Sequence, residues 1–254
     1  MDSLSKKWWF YLILIAVGFV PSVTQKPVDP QQTSLIIQDV LQKPLIYEIP
    51  AIFPLVKIAL AFFMITAAVY GSGFKKGFHY LVIILLAGIA VFQNISFETR
   101  FGYAVVLGNI LIQLAVVIFW IYEAGAGKNE YRIESRISWW KIICLILGFF
   151  AFWMPAGEGV MGFYPADILM NEAMVTYCMV TPVLLAFLFL FYPKINIPVL
   201  RVMSFVGLYY GILNMMTWFW MNTEFWWMGV VHLPLLINSA AGLIVSLRIK
   251  KANK

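Results

Sequence analysis

The chain has 254 residues, 62% of them hydrophobic and 12% charged, with a net charge of +6. A soluble domain carries about 25% charged residues, and a chain of this size has too little interior to hide so much apolar surface, so a soluble globular protein is excluded. The basic residues form short clusters between apolar blocks rather than one continuous face, which excludes a nucleic-acid partner and suits helix ends facing anionic lipid.

Apolar blocks run over 8–23, 50–72, 78–97, 101–124, 139–156, 171–193, 196–221 and 225–247. Most approach the roughly 20 residues needed to cross the hydrocarbon core. The expectation is an all-α, polytopic transmembrane helix bundle of about eight spans, one integral membrane domain over 1–254 with no soluble domain. The first block follows Lys6-Lys7, and Trp8, Trp9 and Tyr11 suit the membrane interface, so it reads as a retained span. The alternative is a cleaved signal peptide over residues 1–22, ending at Val20-Pro21-Ser22, which leaves seven spans.

Residues 24–49 form a long outer loop. It opens with Pro27 and Pro30; Thr33-Ser34 starts a short helix, and Pro44 stops it. Ile36, Ile37, Val40 and Leu41 recur at helical spacing, which predicts an interfacial helix flat on the membrane. Residues 155–170 form a second outer loop, rich in Gly and Pro yet apolar, which predicts that it folds back onto the bundle or dips into its outer mouth.

Orientation follows from the basic residues, because Lys and Arg accumulate on the cytoplasmic side. With the N-terminus inside, the inner segments hold Lys6, Lys7, Lys75, Lys76, Lys128, Arg132, Arg136, Lys141, Lys194, Arg201, Arg248, Lys250, Lys251 and Lys254. That is 14 of the 18, against Lys26, Lys43 and Arg100 outside and Lys57 within a span. Both termini are therefore expected in the cytoplasm, in the plasma or cytoplasmic membrane. The ten tryptophans all fall near predicted span ends, as an aromatic belt requires.

Several polar residues lie deep in spans, where such groups mark function or glue helices together. Lys57 sits about two turns into the second span. It either snorkels back to the outer interface or stays inside to bind an anion or meet Glu98, Glu158 or Glu224. Asn109 and Gln113 share one face of the fourth span. Asn214 lies on the seventh with Ser204, Gly207 and Gly211, and His232 lies on the last, beside Pro234. Lys57, Asn109, Gln113, Asn214 and His232 are the candidate substrate-binding residues. Gly207-Leu208-Tyr209-Tyr210-Gly211 is a close-packing element, and Gly242 with Ser246 is a second small pair, so these four small residues are assigned to helix packing. Glu123, beside Gly125 and Gly127, reads as a helix end at the cytoplasmic interface.

Other patterns carry less. Gly157-Glu158-Gly159-Val160-Met161-Gly162 has the letters of a dinucleotide loop but no preceding strand, and its carboxylate stands where phosphate would approach. Asn94-Ile95-Ser96 fits a glycosylation sequon too close to the membrane for ready modification. His79 lies far from His232, so no paired haem or metal ligands are expected; no catalytic residue and no cofactor is assigned. Cys144 and Cys178 lie at different depths, which disfavours a disulfide.

Three functional readings follow. The first is a small-solute transporter or channel-like permease, lined by the polar faces of the fourth, seventh and eighth spans. The second is a non-catalytic membrane subunit or scaffold that associates with other membrane subunits or with itself. The third is an enzyme acting on a lipid-linked substrate through Glu158, Asp167 or Glu172, which ranks last because outer-loop carboxylates are common solvated groups. Beyond these, the lipid bilayer is the one partner the composition demands.

Overall fold

The computed structural model describes residues 1–98, 100–133, 136–156 and 160–252. Every apolar block forms a helix: α1 Trp8–Gly18, α3 Ile52–Tyr70, α4 Lys75–Phe92, α5 Leu107–Ala126, α6 Trp139–Trp153, α8 Tyr177–Phe191, α9 Ile197–Met216 and α10 Trp226–Ala252. Two shorter helices lie in the long connections, α2 Thr33–Gln42 and α7 Asp167–Met170. The chain is all-α in class, 74% helical, with one small sheet of β1 Val23–Thr24, β2 Ile95–Glu98 and β3 Gly102–Val105.

Among the described residues, five helices are long and apolar enough to cross a membrane: Ile52–Tyr70, Lys75–Phe92, Leu107–Ala126, Ile197–Met221 and Thr223–Arg248. A sixth candidate is the pair Asp167–Val175 and Tyr177–Phe191, bent by 101° at the break between them. The structure thus supports five spans, or six with the bent pair, where eight were expected. The shortfall is one of length. Helices α1 and α6 have 11 and 15 residues, roughly 16 and 22 Å at 1.5 Å per residue, short of a core about 30 Å thick. Both stop just before a proline, which disfavours helical geometry in the residue ahead of it. Pro21 follows α1, and Met154, at φ 48°, stands between α6 and Pro155.

The molecule has two distinct ends. At the basic end the first residues fold back onto the bundle. Asp2 accepts from Lys128 Nζ (2.6 Å) and the Tyr122 hydroxyl (2.9 Å). Arg201 donates to the carbonyls of Ser5 (3.2 Å) and Ser246 (2.6 Å). At the opposite, cap end, β3 lies between β1 and β2, antiparallel to both, with Val23 and Ile95 opposite Val105. Helix α2 buries Ile36 and Val40 against Phe101, Ala104 and Val106. Its two best-buried apolar residues are therefore used on protein rather than on lipid.

Between the ends, α9 and α10 pack through small residues in a reciprocal way. A Cβ on Gly207 would lie 2.3 Å from Ser239 Oγ, and one on Gly242 would lie 2.2 Å from Ser204 Oγ. Gly211 faces the Leu236 backbone at 3.0 Å. Each serine of one helix thus occupies the space left by a glycine of the other. Ser246 Oγ bonds the Leu243 carbonyl on its own helix. Asn238, fully buried, donates to the carbonyls of Cys144 (3.1 Å) and Pro182 (3.0 Å) and so ties α10 to α6 and α8.

Candidate functional site: two buried polar clusters

Glu123 near the end of α5 and His79 near the start of α4 are both completely buried. Helix α5 stops where Gly127 takes left-handed geometry (φ 60°) and returns its N–H to the Glu123 carbonyl at 2.7 Å. That turn brings the following residues back over Glu123. The backbone N–H of Asn129 donates to Glu123 Oε1 at 2.7 Å, and Asn196, in the α8–α9 connection, donates from Nδ2 to Oε2 at 2.5 Å. The Asn196 N–H donates to Asn129 Oδ1 at 2.6 Å, tying the two connections together. His79 Nε2 lies 3.9 Å from Glu123 Oε1 and 2.8 Å from the Tyr131 hydroxyl. Asn129 Nδ2 donates to that hydroxyl at 3.1 Å, which leaves the phenol proton for His79. Burial pushes the pKa of Tyr131 well above the ordinary tyrosine value, so the phenol keeps that proton. Phe78, Trp120, Phe187 and Phe191 wall the cluster with edge-on and tilted rings.

A buried carboxylate is tolerated only when hydrogen bonds or a counter-charge replace its water. Glu123 does stand at a helix end, as its flanking glycines suggest, but it is fully buried there. It is the acceptor on which two connections close. His79 Nδ1 and Trp120 Nε1 remain buried without partners among the described residues. Sequence reasoning missed this cluster because its partners are distant in the chain; the signal available was a carboxylate and a histidine inside two blocks predicted to span.

The cap-end cluster holds most of the residues singled out from sequence. Tyr210 donates to Asn109 Oδ1 at 3.1 Å, joining α9 to α5. Gln113 accepts from Asn94 Nδ2 at 3.3 Å, joining α5 to the end of α4. Asn214 donates to Cys178 Sγ at 3.6 Å and to the Tyr210 carbonyl at 2.9 Å, and accepts from Trp218 Nε1 at 3.1 Å. Gln93 accepts from the first N–H of α8 at 2.9 Å. Asn109 and Asn214 are half-buried. His232 does not join them: its Nδ1 donates to the Met228 carbonyl of its own helix at 2.7 Å. Asn94 of the sequon is fully buried, and both cysteines are free thiols.

Lys57 stands apart on α3, fully buried. Among the described residues its ammonium meets the Asp167 carbonyl at 2.5 Å and Asn171 Oδ1, with the Phe152 ring centroid 5.4 Å away. Asn171 Nδ2 also donates to the Trp153 and Met154 carbonyls at the end of α6. Lys57 is thus an interior tie between α3 and the connection before α8, and its stem does not run back to the surface. Glu158, with Gly157 and Gly159 of the glycine motif, lies outside the described residues. Among the described residues, Asp167 Oδ2 is enclosed without a hydrogen-bond partner. A groove of about 330 Å³ runs between α3, α6 and α8, lined by apolar residues such as Ala61, Met64, Leu145, Phe149, Phe152 and Phe187. It offers a polar solute no hydrogen-bonding side chain. Among the described residues no group of three or more His, Cys, Asp or Glu is placed to hold a metal ion.

Comparison with known proteins finds no matching family model, curated protein or solved structure. The helices are compatible with a multi-pass membrane protein.

Proposed function

We propose that this chain is a non-catalytic subunit or scaffold of the plasma or cytoplasmic membrane, with its basic end and both termini on the cytoplasmic side. The observation that carries the reading is the pairing of its deep polar groups. Asn109, Gln113, Asn214, Asn238, Glu123 and Lys57 each hydrogen-bond another element of the bundle, which is how polar side chains hold membrane helices together. A second observation gives the partner somewhere to sit. Leu55, Ile58, Phe62, Ile65 and Val69 are exposed along α3, spaced three and four apart, the seam with which one helix seats on another. Purified from its own membranes in mild detergent, the chain should run as a defined assembly of fixed stoichiometry. Replacing Phe62 and Ile65 by Ala should dissolve that assembly without lowering the thermal midpoint of the isolated chain. A monodisperse monomer under the same conditions overturns the reading.

Transport is the second reading, favoured by the continuity of the cap-end cluster from Gln113 and Asn109 through Tyr210 and Asn214 to Cys178. A water-filled path through it makes Cys178 react with a membrane-impermeant thiol reagent in the folded protein. If Cys178 reacts only after unfolding, there is no such path.

A further inference from the structure

The small sheet at the cap end has two faces of opposite fate. Strand alternation sets Thr24, Ser96 and Ala104 side by side on one face, and α2 packs there, with Ile36 and Val40 against Ala104. The other face carries Val23, Ile95, Phe97, Tyr103 and Val105, every one apolar or aromatic. Phe97 and Tyr103 are direct cross-strand partners with ring centroids 5.0 Å apart, yet they remain 60% and 56% exposed. No described element covers them.

This face sits where the membrane helices end. Only a few residues separate Gly18 from Val23, Phe92 from Ile95, and Val105 from Leu107, so α1, α4 and α5 all run directly into or out of the sheet. Phe19 and Phe92, at the ends of α1 and α4, are exposed as well. In water such a patch is unfavourable. At the headgroup level aromatic rings, and tyrosine with its polar hydroxyl, are favoured.

We propose that the face formed by Val23, Ile95, Phe97, Tyr103 and Val105 lies on the headgroup–acyl boundary of the phospholipid leaflet at the cap end, so that the sheet anchors α1, α4 and α5 at a fixed depth. Helix α2, expected from sequence to lie on lipid, packs Ile36 and Val40 on the sheet's protected face. The inference depends on the membrane reading above, and its test separates the two.

The full chain, carrying Cys144→Ala and Cys178→Ala, is placed in nanodiscs of phosphatidylcholine and phosphatidylglycerol and spin-labelled at Tyr103→Cys. Phe97→Cys serves as the second variant should the first not fold. Ile84→Cys, exposed midway along α4, and Gln38→Cys, on the exposed side of α2, are the references. Collision with oxygen, relative to a water-soluble nickel chelate, should be several-fold higher at 103 and 97 than at 38, and should approach the ratio at 84. Nickel-dominated collisions at 103 and 97, with 84 still in lipid, overturn the inference alone. Nickel access at 84 as well overturns the membrane reading too. If neither reagent reaches 103 and 97, protein covers the face and the inference also fails.

Discussion

The basic end and the cap end of the bundle both bury polar side chains, but they satisfy them by different means. At the basic end a carboxylate, Glu123, is enclosed, and both of its closest donors come from connections, Asn129 before α6 and Asn196 between α8 and α9. At the cap end the groups are neutral amides and a phenol, several of their partners sit on neighbouring helices, and Asn109 and Asn214 stay half-buried. An unpaired buried charge costs several kcal/mol, whereas an unpaired amide costs about 1–3. A site holding a carboxylate must therefore be closed completely, while one holding amides can stay partly open. The contrast shows that the basic-end connections are structural core, not linkers.

The largest expected effect tests that claim. Glu123→Ala leaves the Asn129 N–H and the Asn196 amide without acceptors, which should cost about 3 kcal/mol or more. In detergent it should lower the thermal midpoint and speed proteolysis within 127–138. A variant as stable as wild type would reduce the basic-end cluster to the level of the cap-end one. An intermediate effect is expected between the ends, at the α9–α10 seam. Gly207→Ala forces a Cβ onto Ser239 Oγ and should cost about 1–3 kcal/mol. Adding Ser239→Gly reopens the space, so the double variant should be more stable than the first single one; strict additivity would show that the reciprocal packing is not what joins these helices. The smallest effect belongs to the cap end. Tyr210→Phe removes one interhelical hydrogen bond and should cost about 0.6 kcal/mol. A loss as large as that of Glu123→Ala would erase the distinction between the ends.

Particular residues show how much could be read in advance. The eight helices are legible because apolar block length is a local property; the break in the sixth block is not, since Ala173–Val175 and α8 are equally apolar. Gly207, Gly211 and Gly242 stand out by spacing alone, and the structure sets all three against a partner helix. Lys57 is conspicuous as a charge inside a span, but its choice between interface and interior depends on Asn171, which lies 114 residues away. Asn238 holds three helices together, yet nothing in its sequence neighbourhood marks it for that role. Glu123 was legible as a residue and not as an environment, because the donors that make its burial tolerable belong to a loop and to a hairpin.

Sequence by itself settles the apolar helical class, the order of the helices and the concentration of basic residues toward one end, all of which are sums over neighbouring residues. Tertiary structure decides which polar groups meet, which helices are too short to span, and which surface of the cap is left apolar. The reason is physical: hydrophobic drive is nearly non-directional and adds up along the chain, whereas a hydrogen bond needs one donor and one acceptor within about 3 Å. For His79 and Tyr131 those two atoms are 52 residues apart, and only the packed bundle brings them together.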